Sequence, residues 1–152
     1  MHYFTTQAVI LGILLISLGG TAPSGCERNQ GIQGRILFES GNQMPGPGVV
    51  REPAKGVQRE LRVYPVLHGN QLQGEGNGFY DEPAHPPVKT VTSDTAGYFR
   101  VQLPPGEYSL LVQENDRLYA NRFDGEGRVF PVKVEAGKMT EVEFKINYAA
   151  AY

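Results

Sequence analysis

Cys26 is the only cysteine in this 152-residue chain, and it follows an unbroken apolar run, Ala8–Leu18 (AVILGILLISL). A lone thiol cannot close an internal disulfide, so it is either covalently modified or a spare thiol beside a plain secretory leader or an uncleaved N-terminal anchor. Only two histidines lie beyond it, His68 and His85, near Asp81 and Glu82. Imidazole and carboxylate together suit zinc, and a metal-dependent enzyme built on the 68–85 loop is one reading. The spacing matches no compact ligand motif, so two solvated loop histidines are expected, with no metal and no cofactor. Ser40, Ser93 and Ser109 have no local base, and no G-x-S-x-G elbow occurs. The run Asp124-Gly125-Glu126-Gly127 lacks the twelve-residue loop of a calcium-binding hand and reads as a turn. Strand-to-helix glycine patterns for phosphates are absent. No catalytic residue is expected.

Recognition chemistry is the stronger class. Phe79 and Tyr80 stand between glycines and Pro83, and Tyr119 and Phe123 stand near Arg117 and Arg122. Exposed aromatic rings can stack on sugars or anchor a protein partner. The plainer alternative is that these four rings pack back onto the fold and close its ends. The chain has no Trp. With 14 basic and 16 acidic residues the net charge is −2, which argues against nucleic acid, since phosphate neutralisation needs a basic face.

The elements that must carry these residues are strands. Nineteen glycines and 11 prolines among short Val-, Tyr-, Phe- and Thr-rich runs favour an all-β domain with many turns. Expected strands are Gly34–Phe38, Leu61–Leu67, Val88–Thr92, Tyr98–Leu103, Glu107–Val112, Tyr119–Phe123, Phe130–Val134 and Thr140–Ile146. Pro65 points to an edge or a bulge in the second of these. Ser93–Gly97 reads as a turn, and Pro104-Pro105-Gly106 as a tight reversal joining a hairpin, with Gly106 left-handed. In 140–146, Val142, Phe144 and Ile146 alternate with Glu141, Glu143 and Lys145. Such period-two patterning marks antiparallel strands with one wet face. About seven strands at intervals of roughly 8–12 residues give a β-sandwich. Ser40–Gly56 and His68–Pro87 are read as long irregular loops.

Two resemblances follow. Pro23-Ser24-Gly25-Cys26 after the apolar run resembles a bacterial lipobox. It implies a signal-peptide helix over 1–25, lipidation of Cys26, a tether over 26–33 and residence in the cell envelope, at the outer membrane. The series Thr92-Ser93-Asp94-Thr95-Ala96-Gly97-Tyr98-Phe99, then Leu103-Pro104-Pro105-Gly106-Glu107-Tyr108-Ser109-Leu110, resembles the carboxypeptidase regulatory-like domain. That family implies a seven-stranded antiparallel Greek-key sandwich of transthyretin (prealbumin) type over 34–147, leaving 148–152 as a tail. The combination is similar to small lipoproteins of Bacteroidota, whose sandwich domains are usually non-catalytic accessories. The resulting expectation is a lipid-anchored, non-catalytic binding or scaffolding module. Its partners would be the membrane, through the anchor, and an envelope protein or glycan, with a surface carbohydrate-binding module as the alternative.

Overall fold

The computed structural model describes residues 29–152, and Cys26 with the apolar run lies outside the described residues. The strands are β1 (Gly31–Asn42), β2 (Lys55–Gly56), β3 (Glu60–Pro65), β4 (Phe79–Tyr80), β5 (Lys89–Thr92), β6 (Tyr98–Gln102), β7 (Gly106–Glu114), β8 (Arg117–Tyr119), β9 (Pro131–Val134) and β10 (Met139–Ala151). One 3-10 turn, Gly69–Gln71, interrupts them. Among the described residues no helix is long and apolar enough to cross a membrane.

Two sheets form the layers of an all-β sandwich. In the smaller, β1 is flanked by β10 on one side and by β6 and then β2 on the other. In the larger, β7 is flanked by β3 and β5 on one side and by β9, then β8 and β4, on the other. Ile32, Ile36, Phe144 and Ile146 of the first sheet and Leu61, Val63, Leu110 and Val112 of the second have no exposed surface and belong to one core cluster. Burying each such side chain contributes about 1.5–3 kcal/mol, which lets the domain stand without a disulfide.

The structure corrects several expectations. The sheets are not wholly antiparallel: β1 and β10 run parallel, from Gly31↔Met139 to Asn42↔Ala151. A parallel pair needs a long crossover, and here the whole domain lies between the two strands. Among the described residues there are ten strands rather than about seven, because the short pairings at β2, β4 and β8 add to the longer ones. The tether read over 26–33 gives way to strand from Gly31, and the tail 148–152 is strand as far as Ala151. Glycine is what lets β1 start early: a Cβ on Gly31 would stand 2.1 Å from the Val101 carbonyl oxygen.

β6 and β7 do not form a hairpin with each other. β6 pairs with β1 and β7 with β3, so Pro104-Pro105 carries the chain from one sheet to the other. Prolines have no N–H to give a ladder, which suits a corner between sheets. Gly106 does not take positive φ; it opens β7. The Tyr108 hydroxyl fastens this corner by donating to the Pro104 carbonyl at 2.9 Å. β3 is interior rather than an edge, and it tolerates Pro65 because that residue is its last, beyond the Glu60–Val63 stretch paired to β5.

The Ser93–Gly97 turn forms as its chemistry dictates. Asp94 Oδ1 accepts the amides of Ala96 (2.9 Å) and Tyr98 (2.8 Å), and Gly97 sits at φ +87. The 68–87 segment is no free loop, for its Leu72, Phe79 and Tyr80 join the core.

Candidate functional site

The two longest strands end side by side, and the site is built where they do. Between Phe38 and Ser40 the β1–β10 register shifts, and such a bulge re-aims the side chains beside it. Tyr148 there leans into a four-ring cluster. Its ring centroid lies 5.6 Å from Phe38, 5.1 Å from Phe79 and 5.4 Å from Tyr119, and Phe79 and Tyr119 are 5.0 Å apart. The Tyr148 hydroxyl donates to Glu114 Oε2 at 3.0 Å. Glu114 is 4% exposed, and its other oxygen accepts Arg59 Nε at 2.5 Å. Burial and the facing Glu114 carboxylate push the Tyr148 phenol above its usual range.

A polar relay crosses the same end. Tyr119 donates to Asn147 Oδ1 at 2.8 Å, and Asn121 Nδ2 donates to the same oxygen. Asn147 Nδ2 then donates to the Tyr152 hydroxyl at 3.1 Å, and Tyr152 donates to Glu39 Oε2 at 2.8 Å. Lys145 Nζ closes the series 3.1 Å from Glu39 Oε1. The Tyr152 hydrogen bond and the Lys145 charge outweigh desolvation and hold the Glu39 carboxyl below the ordinary range. Burial, above all, pushes the Tyr119 phenol up.

The opposite wall is the 120–130 segment, whose shape is fixed locally. Asp124 Oδ1 accepts the amides of Glu126 (3.0 Å) and Arg128 (2.9 Å), Asp124 Oδ2 accepts Arg128 Nε at 2.6 Å, and Gly127 takes φ +74. Phe130 is held at φ +37, a conformation costing a bulky side chain roughly 1–3 kcal/mol. Its amide donates to the Arg122 carbonyl at 2.7 Å, and its ring stacks on Phe144 at 4.4 Å with an interplanar angle of 19°. The Arg122 guanidinium lies 5.2 Å from the outer face of the Phe130 ring. The exposed Arg122 side chain thus rests over the ring of a residue with left-handed backbone.

Two adjoining clefts result. One, of about 620 Å³, lies among Gly74, Asn77, Gly78, Phe123, Asn147 and Tyr148. The other, of about 570 Å³, lies among Glu39, Arg51, Arg122, Phe130, Lys145 and Tyr152. Asn121, Asn147 and Tyr152 border both. Volumes of this order accept small organic ligands.

The four aromatic candidates divide. Phe123 is 48% exposed and Phe79 half-buried, while Tyr80 and Tyr119 are 7% and 2% exposed. The last two therefore border the cleft mainly as structure, and Tyr119 contributes its hydrogen-bonded hydroxyl. The 68–85 side chains do not converge on one another. Glu82 is engaged by Arg62 at 2.6 Å and Asp81 by Arg117 at 3.5 Å. Ser93 Oγ donates to the Val57 carbonyl and accepts the Arg59 amide, both at 2.9 Å, and Ser109 Oγ accepts the Leu67 amide at 2.9 Å. Among the described residues no three His, Cys, Asp or Glu side chains cluster as metal ligands would.

Sequence reasoning missed Asn121, Asn147, Tyr148, Tyr152 and Glu39. One signal was available: Asn147-Tyr148 continues the alternation of Thr140–Ile146, which marks a longer strand rather than a tail. The chain matches no protein-family model, no curated protein and no solved structure.

Proposed function

We propose that this chain is a lipid-anchored, non-catalytic module of the cell envelope that binds a partner on behalf of other proteins. Cys26 carries the lipid, and the sandwich is of the seven-stranded Greek-key, transthyretin-like kind, related to carboxypeptidase regulatory-like domains. The short strands β2, β4 and β8 are additions to that plan. The supporting observation is the course of β1. It begins five residues after Cys26 in the sequence and runs through Glu39 to Asn42; Glu39 and Gln43, the residue after the strand, border the 570 Å³ cleft. Eight residues of strand span about 26 Å at ~3.3 Å each. The start of β1, the described end nearest Cys26 in the sequence, and the cleft stand at opposite ends of that strand, which supports a cleft facing away from an anchored end. A cleft among amides, phenols and arginines, with no serine, cysteine or histidine on its walls, suits capture better than turnover. The openness of that cleft also favours a surface carbohydrate-binding module as the more specific form of this reading.

Metabolic labelling with a fatty-acid analogue tests the anchor. The wild type should be labelled and fractionate with membranes, and Cys26→Ser should be unlabelled and released. Equal labelling of the two, or a cytosolic wild type, overturns the proposal.

A further inference from the structure

We infer that the paired clefts form a binding site for a carboxylated sugar, with Arg122 as the residue that selects the carboxylate. The inference rests on the binding-module reading above and adds the class of ligand.

The charge pattern distinguishes the two halves. The 620 Å³ cleft has no formally charged residue on its walls; it offers three asparagine amides (Asn77, Asn121 and Asn147), the Tyr152 hydroxyl, the exposed Phe123 ring and a wall at Gly74, Gly76 and Gly78. Amides that donate and accept in fixed directions, beside an aromatic face and bare backbone, match a ring bearing hydroxyls on its edge and C–H groups on its face. A Cβ at Gly78 would lie 3.0 Å from the Tyr119 ring, so the closeness of this wall depends on glycine. The adjoining 570 Å³ cleft adds Arg51, Arg122 and Lys145 against Glu39 and Glu143, one positive charge in excess.

The lysine is already spent on Glu39 and Glu143, at 3.1 and 3.5 Å. The arginines are not. Arg59, Arg62, Arg117 and Arg128 all face carboxylates, whereas Arg51 and Arg122 have no acidic partner among the described residues; Arg35 and Arg100, outside the clefts, have none either, but they bond the Ala96 carbonyl and Asn29. Arg122 is exposed and lies against the Phe130 ring. A guanidinium stacked this way keeps its planar donor edge free for a two-pronged bond to a carboxylate. The backbone strain at Phe130 is the second sign of a built site, because it holds the ring beneath that cation. A uronic acid and a terminal sialic acid present the same recognition chemistry, a neutral hydroxylated ring carrying one carboxylate.

The test uses the full chain purified from membranes in mild detergent. The probes are oligosaccharides ending in galacturonate, glucuronate or sialic acid, each beside its own methyl ester, with binding followed by calorimetry. At least one acid should bind, with its ester weaker by about tenfold or more, as expected for loss of a charge-assisted pair. Arg122→Gln should bring acid binding down to the level of the ester, abolishing the acid–ester difference. Phe123→Ala should weaken acid and ester alike. Equal binding of acid and ester, an unchanged difference in Arg122→Gln, or no binding of any probe overturns the assignment. Wild type that is lipid-labelled and membrane-bound yet binds no probe overturns the ligand class and leaves the anchored module standing. Probe binding by an unlabelled protein does the reverse.

Discussion

Glu114 is the clearest place to test how the cleft is held. Its carboxylate is 4% exposed and receives two hydrogen bonds, from Arg59 Nε at 2.5 Å and from the Tyr148 hydroxyl at 3.0 Å. A hydrogen bond to a charged group contributes about 1.5–3 kcal/mol when buried. The Arg59 side chain is 36% exposed and Tyr148 is 43% exposed, so water screens both bonds and the lower end of that range applies. Glu114→Ala should therefore destabilise by about 3 kcal/mol, since Arg59 keeps access to water and is not left as a stranded charge. For a domain of this size that is a fall in melting temperature of about 10–15 °C. Tyr148→Phe alone should cost about 1 kcal/mol. Urea denaturation of Glu114→Gln, Tyr148→Phe and the double variant gives the coupling directly, expected at about 1 kcal/mol for groups in contact. Additive losses within error, or a Glu114→Ala variant as stable as the wild type, would refute the view that this carboxylate clamps β10 to β7.

Two further outcomes follow from the turns. Gly97→Ala should cost at least about 2 kcal/mol, through strain and overpacking together, because Gly97 sits at φ +87 and a Cβ there would stand 2.3 Å from the Ile36 carbonyl oxygen; chemical denaturation measures it. Desolvation raises the Asp124 carboxyl, but the amides of Arg128 and Glu126 and the Arg128 guanidinium outweigh it, so it titrates below the ordinary carboxylate range. Its contribution is accordingly present above the ordinary value and lost as pH falls through the depressed one. Asp124→Asn should flatten the acid limb of a stability–pH curve, and an unchanged limb would remove Asp124 from the account.

The class of the fold was legible because period-two alternation is a local signal. Phe99, Val101 and Leu103 are all buried, and in β10 Phe144 and Ile146 point inward while Glu141, Glu143 and Lys145 face water. The turn at Asp94 was legible for the same reason, since its hydrogen bonds reach only as far as Tyr98. Pairing was not legible. Whether Tyr98–Gln102 lies beside its neighbour in sequence or beside β1 depends on which sheet needs an edge filled, and Pro104-Pro105 suits either outcome. The parallel β1–β10 ladder joins residues about as far apart as the domain permits, and nothing within a few positions of Ile36 announces Phe144. The cleft was harder still. Glu39, Asn121, Asn147 and Tyr152 come from three separate stretches of chain, and each alone is an unremarkable polar residue. The two tyrosines singled out from sequence, Tyr80 and Tyr119, are largely buried where β4 and β8 pair, Tyr80 opposite Leu118 and Tyr119 opposite Phe79.

The parallel course of β1 and β10 has a practical consequence for anyone handling this protein. Because both strands point the same way and Tyr152 borders both clefts, polypeptide fused after Tyr152 emerges beside the mouth of the cleft. A carboxy-terminal affinity handle would crowd the very surface to be assayed. The exposed turn at Glu135–Lys138, which lies against the start of β1 through the Gly31 amide and the Lys138 carbonyl at 3.0 Å, is the site that leaves the cleft open.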